Sequence, residues 1–298
     1  MSEAVKHAMP VQRSETARPE FVREVTDTGY GVVEKPLGVF ETLWGNAGLR
    51  KVGVLVFLAC LWQAYGLWVD NDLLMPTFTQ TVAALWADVA SGRLPTAAAV
   101  SMKVLLQGYV AGLALAAILT ALATASRIGS DLLDVLTAMF NPLPSIALLP
   151  LAMIWFGLGD PSIIFVLIHA VLWSVALNTH AGFRGVSPTW RMVGRNYGIS
   201  QVGYIWSILI PGAFPSILTG LKIGWAFAWR TLIAAELVFG SSSGGGGLGW
   251  YVFENKNSLE IPSVFAGLLT VILLGLIVEN LVFRTVERLT VQRWGMQQ

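Results

Sequence analysis

Runs of about twenty apolar residues recur along this chain, the length a helix needs to cross the hydrocarbon core of a bilayer. They fall near residues 52–69, 97–125, 136–156, 162–177, 217–239 and 264–283, and the charges collect between them. Only 12% of the 298 residues are charged, against about 25% in an ordinary soluble domain. A soluble fold of this length would lack a charged surface. The reading is therefore an all-α integral membrane protein with six transmembrane helices. The net charge of +1 gives no reason to expect a nucleic acid. Cys60 is the single cysteine and lies inside an apolar run, so there is no disulfide framework, and no Cys/His cluster points to a metal.

Residues 1–50 are mostly polar and carry no early apolar core, unlike a signal peptide. They read as an N-terminal tail with a short amphipathic helix near 40–49. Asp70, Asn71 and Asp72 stop the first span. Pro76 opens residues 77–90, where Phe78, Val82, Leu85, Trp86 and Val89 recur at helical spacing and Asp88 falls on the other face. This piece is too short and mixed to cross, so it reads as an interfacial amphipathic helix. Gly108 and Gly112 in the second span form a small-xxx-small pair that permits close helix approach. Residues 127–134 read as a polar turn. The third span is broken by Asn141-Pro142-Leu143-Pro144. Prolines free backbone carbonyls, which a bilayer tolerates only where protein or a water-filled cavity satisfies them. Asn141, Pro142 and Pro144 are thus either a structural kink or the lining of a pathway. His169 in span four reads as a hydrogen-bonding residue rather than a proton relay. The glycine/serine run at 240–247 lacks the Lys-Ser/Thr of a phosphate-binding loop.

Basic residues set the orientation. With both termini inside, the inner segments hold Lys6, Arg13, Arg18, Arg23, Lys35, Arg50, Lys51, Arg127, Arg184, Arg191, Arg195, Arg284, Arg288 and Arg293. The outer loops hold only Arg93 and Lys256, and Lys103, Lys222 and Arg230 fall within spans. Both termini are therefore expected in the cytoplasm, the helix at 77–90 outside, and the chain in a bacterial cytoplasmic (inner) membrane. The expected organisation is a cytoplasmic tail over 1–50, a membrane domain over 51–285 with a cytoplasmic loop at 184–211, and a basic tail over 286–298.

That loop begins a helix well, because Ser187 can cap free amides and Pro188 suits the first turn. Arg191 and Arg195 are spaced i,i+4 beside apolar Trp190, Met192, Val193 and Tyr197, and Gly198 suits the left-handed residue at a helix end. The pattern fits a docking helix or an ordinary interfacial loop. Span five holds two costly charges, Arg230 and Glu236. Six residues separate them, so they are far apart around the helix. Arg230 either attracts an anion in transit or pairs with an acid such as Glu279 or a second copy's Glu236.

From Gly198, nine residues lead to Ile208, then one residue, Ile210 and Pro211. This resembles the G-x9-I-x-L-P pattern of the cytoplasmic loop of ABC-importer permeases, with Ile210 at the Leu position. Met192-Val193-Gly194 stands where that pattern has Glu-Ala-Ala, which departs from it at the acidic residue. Pro142-Leu143-Pro144, Leu149-Pro150-Leu151, Trp155-Phe156-Gly157-Leu158-Gly159, Asn178-Thr179, Ala181-Gly182, Arg184-Gly185-Val186, Pro215-Ser216-Ile217, Thr219-Gly220-Leu221, Trp229, Ala235-Glu236 and Gly247-Leu248-Gly249 are similar to the nitrate/sulfonate/taurine branch. The resemblance covers about residues 70–290.

It implies the type I importer permease fold and a small anion of sulfonate, taurine, nitrate or bicarbonate type. It implies as partners a second permease copy, two ABC ATPase subunits, an extracytoplasmic substrate-binding protein and membrane lipids. ATP and magnesium would be bound by the ATPase subunits, so this chain would need no cofactor and catalyse nothing itself. Trp190, Arg191, Met192, Val193, Gly194, Arg195, Asn196, Tyr197, Gly198, Ile199, Ser200 and Pro211 would form the ATPase-coupling element. Arg230, Glu236, Asn141, Pro142 and Pro144 are the candidates for the substrate pathway. A secondary transporter driven by an ion gradient would predict paired intramembrane acids and internal repeats, and neither is visible. A membrane enzyme built on His169 would predict more polar residues facing it.

Overall fold

The computed structural model describes residues 45–239 and 246–293. The N-terminal tail, most of the helix sought near 40–49, most of the glycine/serine run and residues 294–298 lie outside the described residues. Every regular element among the described residues is helical. The chain divides into a unit ending at Val54 and a unit from Leu55 onward.

Helix α1, Ala47–Val69, is predominantly apolar after Arg50 and Lys51 in its first turns. It ends where Asp70 takes φ 48°, a left-handed conformation in which its polar side chain is tolerated. Helix α2, Phe78–Ala90, starts with a reciprocal cap. Thr77 Oγ1 accepts from the Gln80 amide at 3.3 Å, and Gln80 Oε1 accepts from the Thr77 amide at 2.8 Å. Asp88 lies on the face opposite Val82, Trp86 and Val89, as the helical spacing implies, and that face is the buried one. Asp88 turns inward because Tyr251 and Ser263 donate to it there.

Three long helices form the core: α3 (Arg93–Ala125), α6 (Asp160–Gly185) and α8 (Ile210–Phe239). A Cβ built on Gly108 would lie 2.5 Å from Leu167, and one on Gly112 would lie 2.8 Å from Val171. The small-xxx-small pair thus lets α6 lie directly on α3, and the matched numbering shows that the two run parallel. Helix α8 runs antiparallel to both. Tyr109 of α3 donates to the Leu221 carbonyl at 2.9 Å, and Gly182 and Gly220 of the facing helices meet Ser216 and Asn178. Leu105, Val166, Leu167, Val171, Ala228 and Leu232 fill the space between them.

Because α3 and α6 are parallel, the chain must return between them. It does so through α4 (Arg127–Phe140), a short turn at Ser145–Leu148, and α5 (Leu149–Phe156). The two halves are bent by 87° at the Asn141–Pro144 break. Residues 127–134, expected as a turn, are the first half of α4. Ser126 caps that helix by accepting from the Gly129 amide at 3.0 Å, while Leu133 and Thr137 bury one face. Polar residues there mark an amphipathic helix rather than a loop. Among the described residues, five helices are long and apolar enough to cross a membrane, or six if the bent pair counts as one crossing. The last of them runs over Ile261–Gln292 and begins as α10, Ile261–Ile277.

Two further elements go beyond the sequence reading. Residues Leu248–Asn257 form a helix, α9, where only a loop was expected. Span five also starts earlier than residue 217. A turn at Gln201–Tyr204 and a wide π turn at Ile205–Leu209 feed straight into α8, which contains Pro215.

Candidate functional site

The loop between α6 and α8 carries helix α7, Pro188–Asn196. Ser187 Oγ accepts from the Thr189 amide at 3.3 Å. The Gly198 φ of 62° lets the Ile199 amide reach back to the Gly194 carbonyl at 3.3 Å, closing the helix. Trp190, Met192, Val193, Tyr197 and Ile199 are exposed, as are Asn196 and Ser200. Gly194 is buried, and a Cβ there would meet Ile208 at 2.6 Å and the Tyr204 ring at 2.8 Å. Pro211 is half-buried at the start of α8. The Arg195 side chain lies outside what is described.

Arg191, one of the residues expected in the coupling element, is tied to backbone carbonyls. Its Nη2 donates to the carbonyls of Phe183 at 2.6 Å and Arg184 at 3.0 Å, and its Nε donates to Val186 at 3.1 Å. The last carbonyls of a helix have no partners within that helix. Arg191 supplies them and fixes α7 against the end of α6. Its charge also suits the negative end of the α6 dipole.

A second feature lies at the Asn141–Pro144 break. Asn141, Pro142, Pro144 and Arg230 line one cavity of about 360 Å³, together with His169 and Trp173. Four of the five pathway candidates thus share one space. Ser145 Oγ lies 3.1 Å from His169 Nδ1. The Phe140 ring stacks on Trp173 at 5.4 Å, and the Arg230 guanidinium lies 5.6 Å from the Phe227 ring centre. Arg230 makes no ion pair among the described residues. The cavity therefore presents one uncompensated cation against aromatic and amide walls. Nothing local in the sequence singles out Trp173 or Phe227, because an aromatic in an apolar helix carries no mark of what it faces.

Glu236, the fifth candidate, lies elsewhere. It is fully buried against α3 and α9. Ser101 Oγ lies 2.8 and 2.7 Å from its two carboxyl oxygens, and the Gly249 amide donates to it at 2.9 Å. Ser101 Oγ in turn accepts from the Leu248 amide at 2.8 Å. Glu236 therefore caps α9 from a neighbouring helix, which suits a carboxyl at a helix N-terminus. Within this chain it joins three helices rather than lining the cavity of Arg230.

Residues 108–291 match the family described as the binding-protein-dependent transport system inner membrane component. The chain is 30% identical to the putative aliphatic sulfonates transport permease protein SsuC of Escherichia coli K12 over 222 residues, 74% of this chain and 82% of that one. It is 26% identical to the putative ABC transporter permease protein MJ0413 of Methanocaldococcus jannaschii over 77% of this chain and 86% of the relative. It is 34% identical to the taurine transport system permease protein TauC of Escherichia coli K12 over 148 residues, 50% of this chain and 52% of that one. The matched stretch runs from the close contact of α3 with α6, through the proline break and α7, to the last described span, and the chain belongs to the family of binding-protein-dependent inner membrane permeases of ABC transporters.

Proposed function

We propose that this chain is the membrane-embedded subunit of an ATP-driven importer. It would receive a small anion from an extracytoplasmic binding protein and release it into the cytoplasm. The observation that carries this reading is the match over residues 108–291, which takes in both α7 and the Arg230 cavity. Relatives named for aliphatic sulfonates, taurine and nitrate support an anionic substrate, and so does an unpaired arginine at the proline break.

In this reading two copies form the pathway in the cell inner membrane, with both termini in the cytoplasm. Separate ATPase subunits bind ATP and magnesium. The exposed apolar face of α7 seats in the ATPase. Closure of the ATPase pushes on α7, and Arg191 and Gly194 hold that helix against the ends of α6 and α8 so that the push is transmitted. Coupling of this kind requires two states that ATP and the loaded binding protein favour to different extents.

The test is uptake into proteoliposomes holding this chain, its ATPase and its binding protein, with taurine, an alkanesulfonate and nitrate supplied in turn. ATP-dependent uptake of one of these anions is expected. Arg230→Ala should lower uptake by about tenfold or more while the ATPase still co-purifies, because it removes the only cation lining the cavity. Uptake driven by an ion gradient without the ATPase would overturn the reading.

A further inference from the structure

A second cleft lies apart from the Arg230 cavity, between the end of α3, the start of α4, the end of α6 and α7. It encloses about 690 Å³ and is lined by Arg127, Ser130, His180, Arg184 and Arg191 among others. We propose that this cleft holds the phosphate of an anionic membrane phospholipid, with Arg127 and Arg184 as its cationic clamp.

Charge is the first observation. Three guanidinium groups border the cleft, and one acid answers them: Asp134 lies 3.5 Å from Arg184 in a pair that is largely exposed. An exposed pair of this kind holds its partners weakly, so Arg184 can turn to a phosphate. Arg191 is occupied by carbonyls. Arg127 makes no ion pair among the described residues. The cleft also faces the first turn of α4, whose dipole favours a negative group.

Buried polar chemistry is the second. His180 is only 7% exposed and lines the cleft. Its Nε2 lies 3.1 Å from Ser130 Oγ, and its buried Nδ1 has no partner. Nδ1 is closed off from the cleft, so the polar group offered to a phosphate oxygen there is the Ser130 hydroxyl, held in place by His180 Nε2.

The setting decides the source of the phosphate. Helices α3 and α6 end at Ala125 and Gly185, so the cleft lies where two helices long and apolar enough to cross a membrane stop. Leu122, Ile128 and Leu132 are exposed next to it, at 57%, 81% and 53%. A guanidinium pair beside a strip of exposed aliphatic side chains matches both halves of a phospholipid. A soluble phosphate or an acidic segment of a partner protein would use the cations and leave the aliphatic strip bare. Basic pockets at the ends of membrane helices are suited to acidic headgroups on the same grounds.

The experiment uses the full-length chain, reconstituted separately with phosphatidylglycerol and with phosphatidylcholine. Thermal unfolding is followed, and co-purifying lipid is measured by mass spectrometry. Phosphatidylglycerol should be retained and raise the unfolding midpoint above that in phosphatidylcholine. Arg127→Gln/Arg184→Gln should weaken retention on the order of tenfold. Arg127→Gln alone, which breaks no ion pair, should fold normally and lose part of the effect. Lys103→Gln, a basic residue of α3 that does not line the cleft, should behave as the wild type. Unchanged retention of phosphatidylglycerol in both arginine variants overturns the proposal. So does full protection by inorganic phosphate alone, which would assign the cleft to a soluble anion, or protection by an ATPase subunit that needs the same arginines and no lipid.

Discussion

The two ends of the α3–α6–α8 core treat their polar groups in opposite ways. At the end near α9, Glu236 and Ser101 are fully out of solvent and Asp88 is nearly so, yet each is hydrogen-bonded to residues far away in sequence. At the end near α7, Trp190, Met192 and Tyr197 stand in the open, and the helix that carries them is held mainly by hydrogen bonds from Arg191 to carbonyls within eight residues of it. Isolated buried polar groups are costly unless paired. The first end therefore gains its order from within the chain, whereas the second keeps an apolar face that nothing in the described residues covers. The α9 end is the frame and the α7 end is the handle.

The largest expected effect is at the frame. Ser101→Val removes the hydroxyl from both Glu236 oxygens and the acceptor of the Leu248 amide. It should cost about 2–3 kcal/mol, as for buried polar groups left without a partner. Denaturant unfolding in micelles measures it, and a loss no greater than that of a loop substitution would erase the contrast. Next comes Arg191→Ala, expected to cost about 1–2 kcal/mol through three uncapped carbonyls. Arg191→Lys should restore only part, because a single ammonium cannot serve the same fork of acceptors. This variant should also lower ATPase coupling, whereas Ser101→Val should act mainly on stability.

A smaller effect is a pH dependence at the frame alone. Burial and then the hydrogen bond to Asp88 raise the Tyr251 phenol above its ordinary pKa of 10.0. The unfolded chain would release this proton first. The resulting stability is therefore intact below the ordinary value and is lost as pH rises beyond it. Unfolding midpoints followed from about pH 8 to about pH 11 should fall at the upper end, and Tyr251→Phe should flatten that fall. Smallest of all in stability is Trp190→Ala, within about 0.5 kcal/mol, as expected for an exposed residue. Co-purification with the ATPase should nevertheless drop sharply. A large stability loss in this variant would show that the handle is also part of the frame.

Much of this architecture is legible locally. The apolar runs mark the spans. Gly108 and Gly112 mark the contact with Leu167 and Val171, the Pro142/Pro144 pair marks the bend, and Ser187 and Gly198 mark the two ends of α7. What stays hidden depends on partners distant in sequence. Glu236 meets Ser101 across 135 residues and Asp88 meets Tyr251 across 163. No periodicity within α2 or α8 reveals such a partner, so the spacing gives Asp88 a face but not its burial, and Glu236 reads as a pathway candidate. Helix α9 escapes because ten residues mixing Trp250 and Tyr251 with Glu254, Asn255 and Lys256 carry no clear apolar stripe. Arg191 looks like a docking cation because the carbonyls it serves belong to the preceding helix.

The wide turn at Ile205–Leu209 has a further consequence, one of phase. From Gln201 to Phe239 the chain is helical without a gap, so α7 is connected to Arg230 and Glu236 by one keyed shaft. Each residue added to an α-helix turns everything beyond it by about 100°. Arg230 and Glu236, six residues apart, are thereby about 240° apart around the shaft, which is how one faces the cavity and the other faces α3. The π turn takes up about one extra residue and so sets the angle at which that shaft is cut. Removing one residue within Ile205–Leu209 would leave every contact type in the sequence intact and mistime the shaft, pointing the arginine away from the cavity or pulling the carboxyl out of its seat.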